Sequence, residues 1–113
     1  MWDIEYYTRP NGAQPTREWL NSLPIDYRKV IKAKIVSLAQ HGTELLDTKV
    51  MERILGHDSD FYELRGGRCR VAVYWDGTVR KFLLLHGFKK TRNNERREIN
   101  RARDLLHEYL LTR

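Results

Sequence analysis

The sequence has little cysteine and no long apolar run. Cys69 is the only cysteine in 113 residues, which excludes an intramolecular disulfide and favours a reducing compartment. No segment reaches the ~18 consecutive apolar residues of a membrane-spanning helix. The first ten residues carry acidic side chains and lack the apolar core of a secretory signal. We therefore expect a soluble, cytoplasmic protein with no membrane partner.

Several kinds of functional motif are also missing. There is no glycine-rich phosphate loop, since Gly66-Gly67 is typical of a hairpin turn. His41, His57 and His107 do not form a metal-ligand spacing with Cys69, so we assign no metal. The chain contains no internal repeat, low-complexity tract or linker. At this length it is expected to form one domain over residues 1–113.

Positive charge is abundant, but only in the second half of the chain. Residues 1–64 hold 8 Lys and Arg against 10 Asp and Glu, whereas residues 65–113 hold 13 against 5. The formal net charge is +6. This asymmetry predicts a polyanionic partner, with nucleic acid as the first hypothesis. An acidic protein or a membrane surface would fit the charge alone equally well.

Hydrophobic periodicity predicts an α+β domain with the order β-α-α-β-β-β-α. Alternation at residues 2–7 predicts a strand, and residues 15–23 and 24–41 predict two helices that form a hairpin. Residues 43–56 are expected to form a loop with one helical turn. Three strands follow at 60–65, 68–75 and 80–88, joined by tight turns into an antiparallel meander. Residues 94–111 predict a C-terminal helix. The sheet should be mainly antiparallel and twisted, with the helical hairpin on one face.

Alternation along these strands predicts a cationic face. Side chains of a strand point to opposite faces in turn, so Glu63, Arg65, Arg70 and Tyr74 should share the face away from the helical hairpin. The strand at 80–88 is apolar on both sides, as expected for a central strand covered twice. The cationic face is therefore expected to be a groove with the C-terminal helix as one wall.

Other side chains near this groove have simpler interpretations. By regular alternation His86 shares a face with Leu84, which favours a packed histidine, and Cys69 falls on the core side. Any single arginine on such a strand is usually just solvated, and Arg65 could pair with Glu63 or Asp60. The hypothesis of a phosphate site depends on the coincidence of two arginines with the Lys89-Lys90 pair.

Four motifs together resemble a known protein family. They are Glu63-Leu64-Arg65, the run RCRVAVYW at 68–75, the run LLLHGFKKT at 83–91, and the pattern EIxxAR at 98–103. This combination, with the Leu23-Pro24 step, resembles the HigB-like toxins of the RelE/ParE superfamily, in particular the phage-derived branch. The resemblance spans nearly the whole chain and implies a RelE-like fold.

The resemblance also implies a function. Such proteins are toxins of type II toxin–antitoxin pairs and cut translated mRNA on the ribosome. They are inhibited by a HigA-like antitoxin with a helix-turn-helix domain, so operator DNA is contacted only through the antitoxin. The reaction needs no metal or other cofactor, because the 2′-hydroxyl of the RNA attacks the adjacent phosphorus.

Site residues follow from the resemblance by position. Arg65 and Arg70 would grip the phosphate through the planar guanidinium fork. Lys89 and Lys90 would steady the scissile phosphate or protonate the leaving group. Phe88 would stack on a splayed base, and the further RNA contacts are expected at Tyr74, Arg68 and Arg92.

The general base stays open at this stage. Glu63 and Tyr74 lie on the predicted groove face and are alternatives. Lys89 and Lys90 are ranked above Glu63, because Arg65 is expected to lower the pKa of the Glu63 carboxyl. Two other functions also stay open. One is a ParE-like toxin that inhibits DNA gyrase by protein binding, and the other is a non-catalytic nucleic-acid-binding module.

Overall fold

The computed structural model describes residues 1–56 and 58–113. The predicted α+β class is confirmed, and the predicted elements are all present. One short strand, β2, is added within the segment that was expected to be a loop with a helical turn. In chain order the elements are β1 (Asp3–Tyr6), α1 (Pro15–Ser22), α2 (Ile25–His41), a 3-10 turn (Gly42–Leu45), β2 (Met51–Arg53), β3 (Phe61–Gly66), β4 (Cys69–Asp76), β5 (Lys81–Lys89) and α3 (Glu95–Thr112).

The five strands form one mixed sheet in the order β1-β5-β4-β3-β2. The pairs β2–β3, β3–β4 and β4–β5 are antiparallel, which gives the predicted meander, while β1 runs parallel to β5. β5 is therefore a central strand, as its apolar residues on both sides predicted. The short strand β2 lies at one edge of the sheet.

The sheet is covered on both faces. On one side, which we call the hairpin face, α1 and α2 pack against a core that includes Leu64, Val71 and Leu84. On the other side, the α3 face, Ala102 and Leu106 pack against Phe61, Ala72 and Leu85. At the end of this face nearest the β3–β4 turn, the first turns of α3 meet polar side chains, including His86 of β5.

Two glycines let the helical hairpin lie close to the rest of the chain. Gly42 ends α2 with φ of 55°, a left-handed conformation that favours glycine. A Cβ atom there would lie 2.1 Å from the Trp2 ring. A Cβ atom at Gly87 of β5 would lie 2.0 Å from the ring of Trp19 in α1. The glycine of the His86-Gly87-Phe88 motif therefore has a packing role.

The C-terminal end of α3 is fixed by a buried carboxylate. Asp76, at the end of β4, is 1% exposed and accepts hydrogen bonds from the Tyr109 hydroxyl at 2.5 Å and from Arg113 at 2.9 Å. Burial would raise the pKa of Asp76, but these hydrogen bonds and one from the Thr78 backbone N–H lower the pKa below its usual value.

None of the helices among the described residues is both long and apolar enough to cross a bilayer.

Candidate functional site

The predicted arginine face exists at the end of the sheet nearest the β3–β4 turn. Arg65 lies directly opposite Arg70, and Arg70 lies directly opposite Phe88. One row further along, Glu63 lies opposite Ala72, which lies opposite His86. Because directly paired residues share a face, the side chains of both rows are on the α3 face.

Arg65 is not a free cation. Its Nε lies 3.0 Å from Glu63 Oε1, and Nη1 and Nη2 each lie 2.9 Å from an oxygen of Glu52. Glu52 belongs to β2, and its side chain is 53% exposed, whereas the side chain of Glu63 is 4% exposed. The guanidinium therefore bridges one buried and one solvated carboxylate, and an incoming phosphate would have to compete with the solvated one.

Arg70 is held mainly by the backbone of the turn. Its Nη1 donates hydrogen bonds to the carbonyl oxygens of Gly67 at 2.6 Å and Cys69 at 3.0 Å. Its Nε is buried, lies 3.5 Å from Glu63 Oε1, and makes no hydrogen bond within the described part of the chain. The backbone contacts fix the guanidinium position independently of the carboxylates.

The pKa of Glu63 departs from the expectation. Glu63 is 3% exposed, and this burial raises the pKa of its carboxyl group above the usual value, with a further contribution from Glu95. The ion pairs with Arg65 and Arg70 act in the opposite direction and do not overcome burial. Arg65 lowers this pKa as predicted, but burial outweighs it, so the predicted net lowering is wrong. Glu63 is a better proton acceptor than the sequence suggested.

A β-bulge in β5 changes which side chains join the arginines. Ala72 pairs with His86, but the next residue of β4, Val73, pairs with Leu84, so β5 contains one extra residue at this point. Leu84 packs on the hairpin face and Leu85 on the α3 face. His86 therefore shares the arginine face, and the prediction that it shares a face with Leu84 is wrong.

His86 is the functional candidate that sequence reasoning missed. Its Nε2 lies 2.6 Å from Glu98 Oε2 in the first turns of α3, and its ring stacks on that of Phe88 with centroids 5.9 Å apart. The side chain is 16% exposed. A carboxylate that accepts the Nε2–H of a neutral imidazole leaves Nδ1 as a proton acceptor. The geometry of this pair is that of a general base with its orienting group.

The same bulge determines the face on which Lys89 lies. Lys89 pairs with Cys69 and lies over the ring of Tyr27 at 4.4 Å, on the hairpin face. Its predicted convergence with the arginines is therefore wrong. Lys90, beyond the end of β5, lies 3.0 Å from Glu95 at the start of α3. Glu95 lines the same depression as Glu63 and Arg65.

The four residues expected to contact RNA differ in their exposure and in their place in the fold. Phe88 is 4% exposed, so its ring positions His86 and is not free to stack on a base. Tyr74 shares the α3 face but packs near Tyr109, with ring centroids 6.4 Å apart, at the opposite end of the sheet. Arg68 in the β3–β4 turn and Arg92 before α3 are exposed. Of the four, these two arginines can meet a ligand without rearrangement.

Metal binding has no support in the described residues. Within 1–56 and 58–113, no group of three His, Cys, Asp or Glu side chains is arranged to hold a metal ion. His57, which was considered in the sequence, lies outside the described residues. Cys69 is buried on the hairpin face, and burial raises the pKa of its thiol, so the thiolate is disfavoured.

The arrangement has the parts of a metal-free phosphoryl-transfer site. Two guanidiniums can stabilise negative charge on a phosphate, the His86–Glu98 pair can accept a proton, and the Lys90 ammonium can donate one. A depression of about 250 Å³ opens beside Arg65, between β2, β3 and the start of α3. It is lined by, among others, Glu52, Glu63, Arg65 and Glu95, so in this state carboxylates balance its cations.

Comparisons with known proteins place most of the chain in one family. The family described as phage derived protein Gp49-like (DUF891) matches residues 18–107. No curated protein sequence matches the chain. Among solved structures, a chain of the toxin–antitoxin complex RelBE2 from Mycobacterium tuberculosis is similar, with 17% identity and a TM-score of 0.49. The similarity covers 79% of this chain and 98% of that one.

Proposed function

The chain belongs to the Gp49-like family of phage-derived proteins, and we propose that it is the toxin of a type II toxin–antitoxin pair, an endoribonuclease that cuts mRNA on the ribosome. The observation that carries the proposal is the grouping of Arg65, Arg70 and the His86–Glu98 pair at one end of the α3 face. Cations for a phosphate and a base with its orienting carboxylate thus share one surface.

The chemistry follows from these positions. The 2′-oxygen of the RNA attacks the adjacent phosphorus, and its proton passes to Nδ1 of His86 while Glu98 holds the ring through Nε2. The P–O2′ bond forms as the P–O5′ bond breaks, and the departing 5′-oxygen takes a proton from the Lys90 ammonium. Arg70 and Arg65 stabilise the additional negative charge on the non-bridging oxygens. The products carry a 2′,3′-cyclic phosphate and a 5′-hydroxyl.

Arg70 is the residue on which this proposal depends most. Its carbonyl hydrogen bonds hold it in place before the substrate arrives, and a preorganised donor stabilises a transition state without a reorganisation cost. Arg65 becomes available when phosphate replaces the solvated carboxylate of Glu52. An ion pair of this exposure contributes at most about 1 kcal/mol, which a dianionic transition state can displace.

An antitoxin partner is part of the same proposal. The excess of Lys and Arg in residues 65–113 makes the site attractive to an acidic segment. We expect a HigA-like helix-turn-helix antitoxin to place such a segment over the arginine face. Operator DNA would then be bound by the antitoxin and not by this chain.

The proposal is tested by inducing the protein in a bacterium and mapping new 5′ ends on messages. We expect cuts within coding regions that carry 5′-hydroxyl ends. Arg70→Ala should lower cleavage about 10²–10³-fold, as the loss of a preorganised donor does in other enzymes. Arg70→Lys should not restore it, because an ammonium lacks the planar fork. Arg101→Ala, which removes an exposed cation of α3, is the matched control and should cut normally.

Other outcomes would contradict the nuclease. Growth arrest with intact messages and induced DNA damage would instead support the ParE-like inhibition of gyrase. No arrest, with RNA binding retained by the purified protein, would support a non-catalytic binding module.

A further inference from the structure

A broad concave surface follows the β2 edge of the sheet and adjoins the candidate site. It encloses about 960 Å³ and is lined by residues of α2, of the segment from 47 to 55, and of the β3–β4 hairpin. We call it the edge groove. Its charged lining comprises the basic residues Lys34, Lys49, Arg53, Arg65 and Arg70 and the acidic residues Asp47 and Glu52.

Three of these cations are not used by the proposed reaction. Lys49 and Arg53 are exposed, and Lys34 is half-buried. Within residues 1–56 and 58–113, none of the three has a carboxylate within 4.0 Å, the distance of an ion pair, whereas Arg65 and Arg70 both do. The groove therefore carries positive charge that the protein itself does not neutralise.

The chemistry of the lining selects the kind of ligand. Sites for small organic ligands are mostly apolar and enclosed, but this groove is broad and its lining is largely charged. Separate cations along an open surface suit an extended polyanion, whose successive charges each meet one side chain. Arg65 belongs to both the groove and the candidate site, so a strand with one phosphate at Arg65 places its neighbouring phosphates along the groove.

We infer that the edge groove binds the phosphates of single-stranded RNA that flank the cleaved bond, through Lys34, Lys49 and Arg53. The inference rests on the proposed function for the identity of the polyanion. Contacts of this kind carry little sequence information. They set the affinity and the register of the strand, and the choice of cleavage position is left to the site itself.

The test compares two triple variants of equal charge. Lys34→Ala/Lys49→Ala/Arg53→Ala removes the groove cations, and Arg17→Ala/Lys29→Ala/Lys32→Ala removes three exposed cations of α1 and α2 as the control. Binding of a fluorescent single-stranded RNA is measured by anisotropy over a range of salt concentrations. We expect the groove variant to bind about tenfold more weakly at 0.1 M salt, and its slope of log affinity against log salt to fall by about 2. The control should retain the wild-type slope.

Equal weakening of both variants would overturn the inference, because only net charge would then matter. Displacement of the RNA by polyglutamate at equal charge concentration would also overturn it, in favour of an acidic protein partner. The two proposals fail separately. If wild-type protein cuts messages but the groove variant binds RNA normally, the groove inference fails alone. If wild-type protein cuts no message, but the groove variant binds RNA more weakly than the control variant does, the nuclease proposal fails alone.

Discussion

Glu52 of the edge strand β2 holds the guanidinium of Arg65 through both terminal nitrogens, each 2.9 Å from a carboxylate oxygen. This two-point geometry is the one that a phosphate uses with arginine. The carboxylate therefore occupies the position that a substrate oxygen needs. Because Glu52 is more than half exposed, its release into water is inexpensive.

Glu52→Gln should increase RNA affinity. The variant removes the competing charge and leaves a side chain of the same shape, so the phosphate no longer displaces an ion pair. An exposed pair contributes up to about 1 kcal/mol, which corresponds to a gain of up to about fivefold. Anisotropy with single-stranded RNA measures it. Glu44→Gln, at an exposed site in the 3-10 turn, is the charge-matched control, and an equal gain there would contradict the role of Glu52.

His86→Gln should lower cleavage about 10²–10⁴-fold, the range for loss of a general base. Glu98→Gln should lower it less, because Glu98 acts on the substrate only through the imidazole that it orients. The double variant should be no slower than His86→Gln alone, since residues that act as a unit are not additive. Single-turnover cleavage of a defined message measures all three rates. Full activity of His86→Gln would return the base assignment to Glu63.

The raised pKa of Glu63 predicts how stability depends on pH. The folded protein keeps the Glu63 proton to a higher pH than the unfolded chain, whose glutamate pKa is about 4.3. This contribution is complete below about pH 4.3 and is lost as pH rises through the folded pKa. The Glu63→Gln variant has no such contribution to lose. Its free energy of unfolding should therefore increase relative to that of the wild type as pH rises from about 4.3 through the folded pKa. Urea unfolding from pH 4 to 8 measures the difference, and a constant difference would contradict the raised pKa.

Tyr109→Phe should destabilise the protein by about 1–3 kcal/mol, because buried Asp76 loses one of its donors. The ring of Tyr109 remains to pack against Tyr7, so the loss is confined to the hydroxyl. Urea unfolding at pH 7 gives the value. Tyr6→Phe is the control, since the Tyr6 hydroxyl donates no hydrogen bond to any described side chain. Equal stability of the two variants would show that Arg113 and Thr78 alone satisfy the carboxylate.

Much of the fold was predictable because its signals are local. Alternation predicted the strands of the meander, and Gly66-Gly67 and Asp76-Gly77 marked its turns. Pro15 and Gly42 marked helix boundaries. Strand β2 was missed because three residues are too few to show a period of two. The parallel pairing of β1 with β5 joins distant parts of the chain, and no local pattern encodes it.

The candidate site was only partly predictable. Regular alternation in β3 and β4 predicts that Arg65 and Arg70 share a face. The structure has this regular alternation, and the two arginines do share a face. Regular alternation does not predict the positions of His86 and Lys89, because one extra residue in β5 reverses the alternation beyond it. That strand is apolar on both sides, so its sequence gives no sign of the irregularity. The partners Glu52 and Glu98 come from other elements, and only tertiary packing brings them to the site.

The extra residue in β5 has an evolutionary consequence. Deletion of the codon for Leu85 would restore a regular strand and would still leave His86 and Phe88 beside Arg70, since alternation from Leu84 would then reach His86 in phase. Homologous genes that are one codon shorter at this point should therefore encode the same catalytic surface. An alignment that forbids gaps within strands would place the wrong residue opposite His86.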